Sequence, residues 1–261
     1  MSRLSIVTIS FNQASYLQEC IDSVVRSDVD ELQYIVVDPG STDGSRDIID
    51  ANRGGISDVA YERDDGPADG LNHGFARATG DVLGYLNADD RFVPGALEYV
   101  AAYFDRHPEV DVLCGAIRII DENGHPSIRK RTSDRFDLAN YISGICTVAQ
   151  QATFFRKRVF EAAGGFNAHN RITWDGELLV TMSLSGCRFE SVFRVLGDFR
   201  IYPQSITGSK KFLGKQLEEF ERIRRELQEQ KVKLHSSSSE TLRRLLYKFN
   251  VLRHVGCLLV H

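Results

Sequence analysis

Val36-Val37-Asp38-Pro39-Gly40-Ser41-Thr42-Asp43-Gly44-Ser45 and Leu83-Gly84-Tyr85-Leu86-Asn87-Ala88-Asp89-Asp90 each run from an apolar stretch straight into carboxylates. Apolar runs of that length read as buried strands, which places the acidic residues at their carboxyl ends. In open α/β sheets ligands bind just outside that edge. A pair such as Asp89-Asp90 is costly to hold there without a cation, a hydrogen-bond donor or water. Hard oxygen ligands favour magnesium or manganese, ions that in turn suit phosphate oxygens. The two stretches therefore predict a sheet whose open edge holds a metal-bound nucleotide.

Outward from these strands the chain alternates. Leu4 to Ser10 is a first strand and Ala14 to Arg26 a helix with Leu17, Ile21, Val24 and Val25 at helical spacing; Leu32 to Asp38 follows as a second strand. Ser41 to Ser45 reads as a turn capping a helix over 46–52, where a capping role for Asp43 weighs as much as a ligand role. A short strand over 59–63, a helix over 68–78 and a strand over 81–86 complete a mainly parallel, doubly wound sheet flanked by helices. The second half is less regular. A helix opened by Pro94 leads to a strand over 110–120 and a turn at Asp121-Glu122-Asn123-Gly124, together suggesting a hairpin. Ala152 to Phe155 is a short strand, Lys157 to Ala163 a helix stopped by Gly164-Gly165, and Gly176 to Ser185 a further helix. Beyond Gly208 the pattern becomes long, charged and helical through Lys233.

Composition bounds the function. The chain has 261 residues, 42% of them apolar, enough to bury a full core. The net charge of −4 hides an asymmetry, for residues 205–261 carry twelve Lys and Arg against six Asp and Glu, net +6, leaving −10 for residues 1–204. An acidic body argues against nucleic acid as partner, and the basic tail can meet anionic lipid. Five cysteines without CxxC spacing predict reduced, mostly buried thiols. With no secretion signal and no apolar run of membrane-spanning length, the expected location is cytoplasmic.

The ordered set Thr8-Ile9-Ser10-Phe11-Asn12, Val37 to Gly44, Asn87-Ala88-Asp89-Asp90, Gly164-Gly165-Phe166 and Trp174-Asp175-Gly176-Glu177-Leu178 resembles the family 2 glycosyltransferases of the GT-A fold, over residues 4–205. The resemblance implies a GT-A domain over 1–208, divided into a nucleotide-binding half (1–90) and an acceptor-binding half (91–208), with a basic helical extension over 209–261. It implies inverting transfer of a sugar from a nucleotide-sugar donor to a glycan or lipid-linked acceptor, with Mn²⁺ or Mg²⁺ as cofactor, in the manner of cell-surface polysaccharide synthesis. Thr8, Ser10 and Asn12 would line the nucleotide and Asp38 would accept from its base. Pro39 stands where the family pattern has a second acidic residue. Asp69 would touch the sugar or its phosphate, Asn87 the ribose or phosphate, and Asp89 the metal. Asp175 would be the base that takes the acceptor's proton, with Glu177 in reserve, while Gln150, Gln151 and Trp174 would line the acceptor. Many relatives carry histidine where Tyr202 stands, so Arg200 and Lys210-Lys211 are expected to share the phosphate charge. The amphipathic segment Thr241 to Val260 fits a contact with the inner face of the membrane as well as it fits packing on protein. Two rivals remain: a catalytically silent nucleotide-sugar-binding subunit, and a nucleotidyltransferase, for which no Gly-rich basic loop follows the first strand.

Overall fold

The computed structural model describes residues 2–209 and 211–234. The segment 241–260, for which membrane or protein contact was expected, lies outside them. A nine-stranded sheet runs in the order β3-β2-β1-β4-β8-β6-β9-β5, with β7 paired to β6. Its strands are β1 (Leu4–Ile9), β2 (Gln33–Val37), β3 (Asp58–Ala60), β4 (Val82–Asn87), β5 (Arg91–Phe92), β6 (Val112–Ile120), β7 (Pro126–Arg131), β8 (Thr153–Arg156) and β9 (Phe189–Arg200). The first four are mutually parallel, β8 inserts antiparallel between β4 and β6, and β9 lies parallel to β6. Six strands thus point one way, and β5, β7 and β8 oppose them. This is the mainly parallel sheet expected from the alternation of strands and helices.

The helices are α1 (Ala14–Val25), α2 (Ser45–Ala51), α3 (Pro67–Ala76), α4 (Ala96–Arg106), α5 (Leu138–Ile142), α6 (Lys157–Ala162), α7 (Trp174–Leu184), α8 (Ile206–Ser209) and α9 (Leu213–Glu229). They cover both faces of the sheet. Leu17, Ile21 and Val24 of α1, Ile49 of α2 and Leu97, Val100 and Phe104 of α4 pack on one face with Leu4 and Ile6. Leu71 and Phe75 of α3, Phe160 of α6 and Trp174, Leu178 and Met182 of α7 pack on the other with Val7 and Val37. Burial on both faces explains why β1, β2 and β4 read as continuous apolar runs rather than alternating ones. Close approach of α3 to the sheet depends on Gly74, where a Cβ would stand 2.5 Å from the Val7 side chain.

The hairpin of β6 and β7 forms as expected, closed by the Gly124 amide donating to the Asp121 carbonyl at 3.0 Å. Strand β9 was not foreseen. Two of its most buried residues, Asp198 and Arg200, are charged and each only 1% exposed, which breaks the apolar signature of a core strand. Cys20, Cys114 and Cys146 are buried free thiols and Cys187 is a partly buried one, as expected of reduced cysteines; Cys257 lies outside the described residues. Among the described residues no helix is long and apolar enough to cross a membrane.

Candidate active site

Three neighbouring strands end level. Ile9 is paired with Val37 on one side and Asn87 on the other, so Ser10, Asp38 and Ala88 leave the sheet in one row. The Ser10 amide donates to the Val37 carbonyl and the Ala88 amide to the Ile9 carbonyl. In that row Asp38 is fully buried; its Oδ1 accepts from the Gly40 and Ser41 amides and from Arg46 Nε at 3.1 Å. Among the described residues its Oδ2 is buried with no hydrogen-bond partner, and so is Ser10 Oγ. An unmet buried polar group costs about 1–3 kcal/mol. Two in one row, at the sheet edge where ligands bind, mark a place that an outside molecule completes.

The loops after β1 and β2 are stapled together. Asn12, in the left-handed region at φ 53°, accepts from the Thr42 amide through Oδ1 and donates its own amide to Ser41 Oγ. Asp43 accepts from the Ala14 amide at the start of α1 and from the Ser45 amide and hydroxyl at the start of α2. Burial works against its ionisation, but these hydrogen bonds hold the carboxyl below the ordinary range. Asp43 is thus a cap shared by two helices. Thr8 departs from expectation: its hydroxyl accepts from the Tyr34 hydroxyl at 3.0 Å and lies 3.6 Å from Cys20 Sγ, inside the core. Strand alternation turns Thr8 inward, away from the open edge.

Beyond β4, Asn87 is partly buried, Asp89 partly buried and Asp90 buried. Asp89 Oδ2 accepts from the Tyr202 hydroxyl at 3.2 Å, and Gln13 stands 3.4 Å from the same hydroxyl. Burial raises the proton affinity of Asp89 and pushes the Tyr202 phenol up to about 12. Asp90 is pushed well up by burial, with Asp89 adding to it, and is held by the Arg200 amide and Gln151 Nε2, each at 2.9 Å. Two expectations are corrected here. Gln151 is buried and spent on Asp90, so it does not line an acceptor. Arg200 does not face phosphate either: it is 1% exposed, stacks on Tyr16, and donates to the carbonyls of Asp89, Asp121 and Glu122 and to Glu19. Its fork is filled by the protein, which makes it the buried clamp of the Asp89-Asp90 turn.

Across the sheet edge, Asp64 Oδ1 accepts from the Gly66 amide, and burial raises its proton affinity. Asp69, in the first turn of α3, accepts from the Asp65 amide and has His73 Nε2 at 3.8 Å, which closes the loop entering the helix.

Asp175 occupies the first turn of α7 and borders a small cavity of about 20 Å³, lined also by Tyr85, Tyr141, Gln150 and Thr153. That volume admits a water molecule. Burial raises the proton affinity of Asp175, whose Oδ1 accepts from the Gly176 amide at 2.8 Å. Trp174 is buried in an aromatic cluster, 5.2 Å from Phe166 and 5.5 Å from Tyr85 between ring centres, so it offers no face to an acceptor sugar. Glu177 is tied to Asn167, Asn170 and Arg222. Burial opposes its ionisation, yet these donors hold it below the ordinary range, which leaves no basic lone pair for proton abstraction.

Of the pair Gln150-Gln151 expected at the acceptor, Gln150 faces the Asp175 cavity and donates to the Tyr85 carbonyl at 3.1 Å. Two features escaped sequence reading. Tyr85 and Tyr141 flank the same cavity. Phe11 is 60% exposed between Ser10 and Asn12, and its signal was an aromatic residue set between polar ones just past a strand end.

The donor set also tests the fit of a metal. Among the described residues no three His, Cys, Asp or Glu side chains cluster as a cation site. Asp89 alone therefore suits an ion completed by diphosphate oxygens and water, the mode in which Mg²⁺ characteristically binds and which Mn²⁺, another oxygen-seeking cation, can share.

Residues 5–165 match the family described as Glycosyl transferase family 2. A PGL/p-HBAD biosynthesis glycosyltransferase of Mycobacterium tuberculosis is 31% identical over 179 residues, 66% of this chain and 66% of that protein. The crystal structure of S. aureus TarS residues 1–349 in complex with UDP-GlcNAc superposes with a TM-score of 0.63 at 21% identity, covering 78% of this chain and 60% of that one. A mannosyltransferase of Pyrobaculum calidifontis, in complex with GDP-Man and Mn²⁺, gives 0.58 at 19% identity, over 78% of this chain and 58% of that one. The chain spans 38% to 66% of the first curated relatives that it matches. The structural likeness shows the fold.

Proposed function

The chain belongs to glycosyl transferase family 2, and on that premise we propose that it is an inverting glycosyltransferase that moves a sugar from a nucleoside-diphosphate sugar to a hydroxyl of a glycan or lipid-linked acceptor. The observation that carries the reading is the pair of unmet buried groups, Asp38 Oδ2 and Ser10 Oγ, beside Asp89 on one sheet edge. A ring N–H of a base supplies what Asp38 Oδ2 lacks, and exposed Phe11 offers a face on which that base can stack. Asp89, with Asn87 beside it, would hold the divalent ion at the diphosphate; when bound, that ion supplies positive charge where the leaving group becomes negative. Asp175 would take the acceptor proton on its carboxylate, and its raised proton affinity suits a base at neutral pH. Asp69 fits the donor sugar side of the opening. Residues 1–90 then serve the nucleotide and 91–208 the acceptor, with 209–261 an appended arm whose basic end could meet a membrane surface. A role in cell-surface glycan synthesis is carried over from the family resemblance; the mycobacterial relative's name adds glycosyl transfer in PGL/p-HBAD biosynthesis.

Thermal stabilisation by UDP, GDP, dTDP and CMP, each with and without Mn²⁺, tests donor binding, because a ligand of the native state alone raises its melting point. One nucleotide is expected to stabilise the protein, more so with Mn²⁺, and its sugar conjugates then enter transfer assays with glycan and lipid-linked acceptors. Stabilisation by none of the four would overturn the reading. Stabilisation without transfer or donor hydrolysis would favour a silent binding subunit, consistent with the Tyr202 hydroxyl on Asp89.

A further inference from the structure

Helix α9 lies beyond the family-matched residues 5–165, yet it reaches the turn that carries Asp175. Ile223 and Leu227 of α9 are buried with Ile142 of α5 and Val180 of α7. Phe220 meets the Tyr141 ring edge-on at 6.1 Å, and Arg224 donates to the Ile142 carbonyl. On this apolar footing Arg222 donates through Nη2 to Glu177 Oε2 at 2.8 Å. Its remaining donors pair along its own helix, with Glu219 at 2.9 Å and Glu226 at 2.8 Å.

Glu177 passes that contact on. Its Oε2 also accepts from Asn170 Nδ2 at 2.6 Å and its Oε1 from Asn167 Nδ2 at 3.0 Å. Asn170, only 2% exposed, accepts the Ile172 and Thr173 amides through Oδ1, and Thr173 is the residue from which α7 starts. The chain of contacts runs from Arg222 through Glu177 and Asn170 to the cap of the turn that holds Asp175. Gly176 of the same turn packs on the α9 footing, for a Cβ there would stand 2.7 Å from Tyr141 Oη and 3.7 Å from Phe220 Cζ. A carboxylate as buried as Glu177 is expensive to leave without its cation.

We infer that α9 is a positioning arm for the catalytic turn, with Arg222 acting through Glu177 and Asn170 to set where Asp175 stands. The inference rests on the reading of Asp175 as the base. Arg222 touches no substrate and is a positioning residue. Displacement of a reacting group by about 1 Å can cost 10²-fold in rate, so loss of the clamp should appear in kcat.

The test compares Arg222→Gln, Arg222→Lys and Ile223→Val in the full chain, by nucleotide affinity from calorimetry, kcat and acceptor KM for transfer, and melting temperature. Arg222→Gln is expected to lower kcat by about 10- to 100-fold with nucleotide affinity unchanged, and Arg222→Lys to restore most of the loss. Ile223→Val loosens the same helix without touching the ion pair; it should lower the melting temperature and leave kcat near wild type. If Arg222→Gln remains folded with wild-type kcat, the inference is overturned, as it is if Ile223→Val loses kcat in proportion to stability. Should Arg222→Gln fail to fold, Arg222→Met, which keeps the apolar stem and removes the cation, decides: a lowered kcat with unchanged nucleotide affinity supports the arm, and wild-type kcat overturns it. An Asp175→Asn protein that still transfers sugar would remove the base assignment by itself, independently of these outcomes.

Discussion

The level ends of β1, β2 and β4 and the first turn of α7 both present acidic motifs, and they treat their polar atoms in opposite ways. At the strand ends Asp38 Oδ2 and Ser10 Oγ are buried with nothing bonded to them. At α7 both oxygens of Glu177 are filled, by Asn167, Asn170 and Arg222. An unmet buried acceptor at the open sheet edge is one that an outside molecule can complete, whereas a filled one is scaffold. The same contrast separates neighbours within each region: Asp38 from Asp43 at the strand ends, Asp175 from Glu177 on the helix, Gln150 from Gln151 beside it.

The sharpest way to break this contrast is at Asp175. Asp175→Asn is expected to lower kcat for transfer by about 10²–10⁴-fold with nucleotide affinity unchanged by calorimetry. Burial lifts the proton affinity of Asp175, so the acid limb of the wild-type rate should lie above the ordinary carboxylate range, with activity rising as pH passes through it. Arg200 comes next. Arg200→Lys keeps the charge but loses the planar fork in a buried site, and should cost about 3 kcal/mol, or roughly 6–12 °C in melting temperature. An unchanged melting temperature with weakened nucleotide binding would instead return Arg200 to the ligand side. Asp89→Ala should abolish the gain in nucleotide affinity that Mn²⁺ brings, about 10- to 100-fold in titrations with and without the ion. Asp38→Asn should weaken metal-free nucleotide binding by about 10-fold, since an amide cannot accept at both positions. The smallest effect is on stability. Because the folded Asp175 carboxyl binds its proton more tightly than the unfolded one, its ionisation weakens the fold as pH rises through that raised value. Asp175→Asn should therefore melt higher than wild type at neutral pH, and the gap should close in acid.

Much of this was legible along the chain. The parallel core strands, the helices between them and the 121–124 hairpin turn follow from local pattern, because apolar runs and turn residues act within a few positions. Strand β9 was not legible, for its buried Asp198 is neutralised by Arg91 and Arg118, 107 and 80 residues away. Arg200 misled for the same reason: an arginine read without its spatial neighbours is a free cation until Glu19 and three carbonyls from distant segments are brought to it. Trp174 misled because neither Tyr85 nor Phe166 announces in sequence that it will stack there.

The sequence by itself determined the core strands β1, β2 and β4, where they end and that carboxylates stand at the ends of β2 and β4, since these follow from runs of side chains acting on their own backbone. Only the tertiary structure decided which of those polar groups stay open. Whether an oxygen has a partner depends on residues brought from far along the chain, and burial makes that pairing decide between scaffold and site.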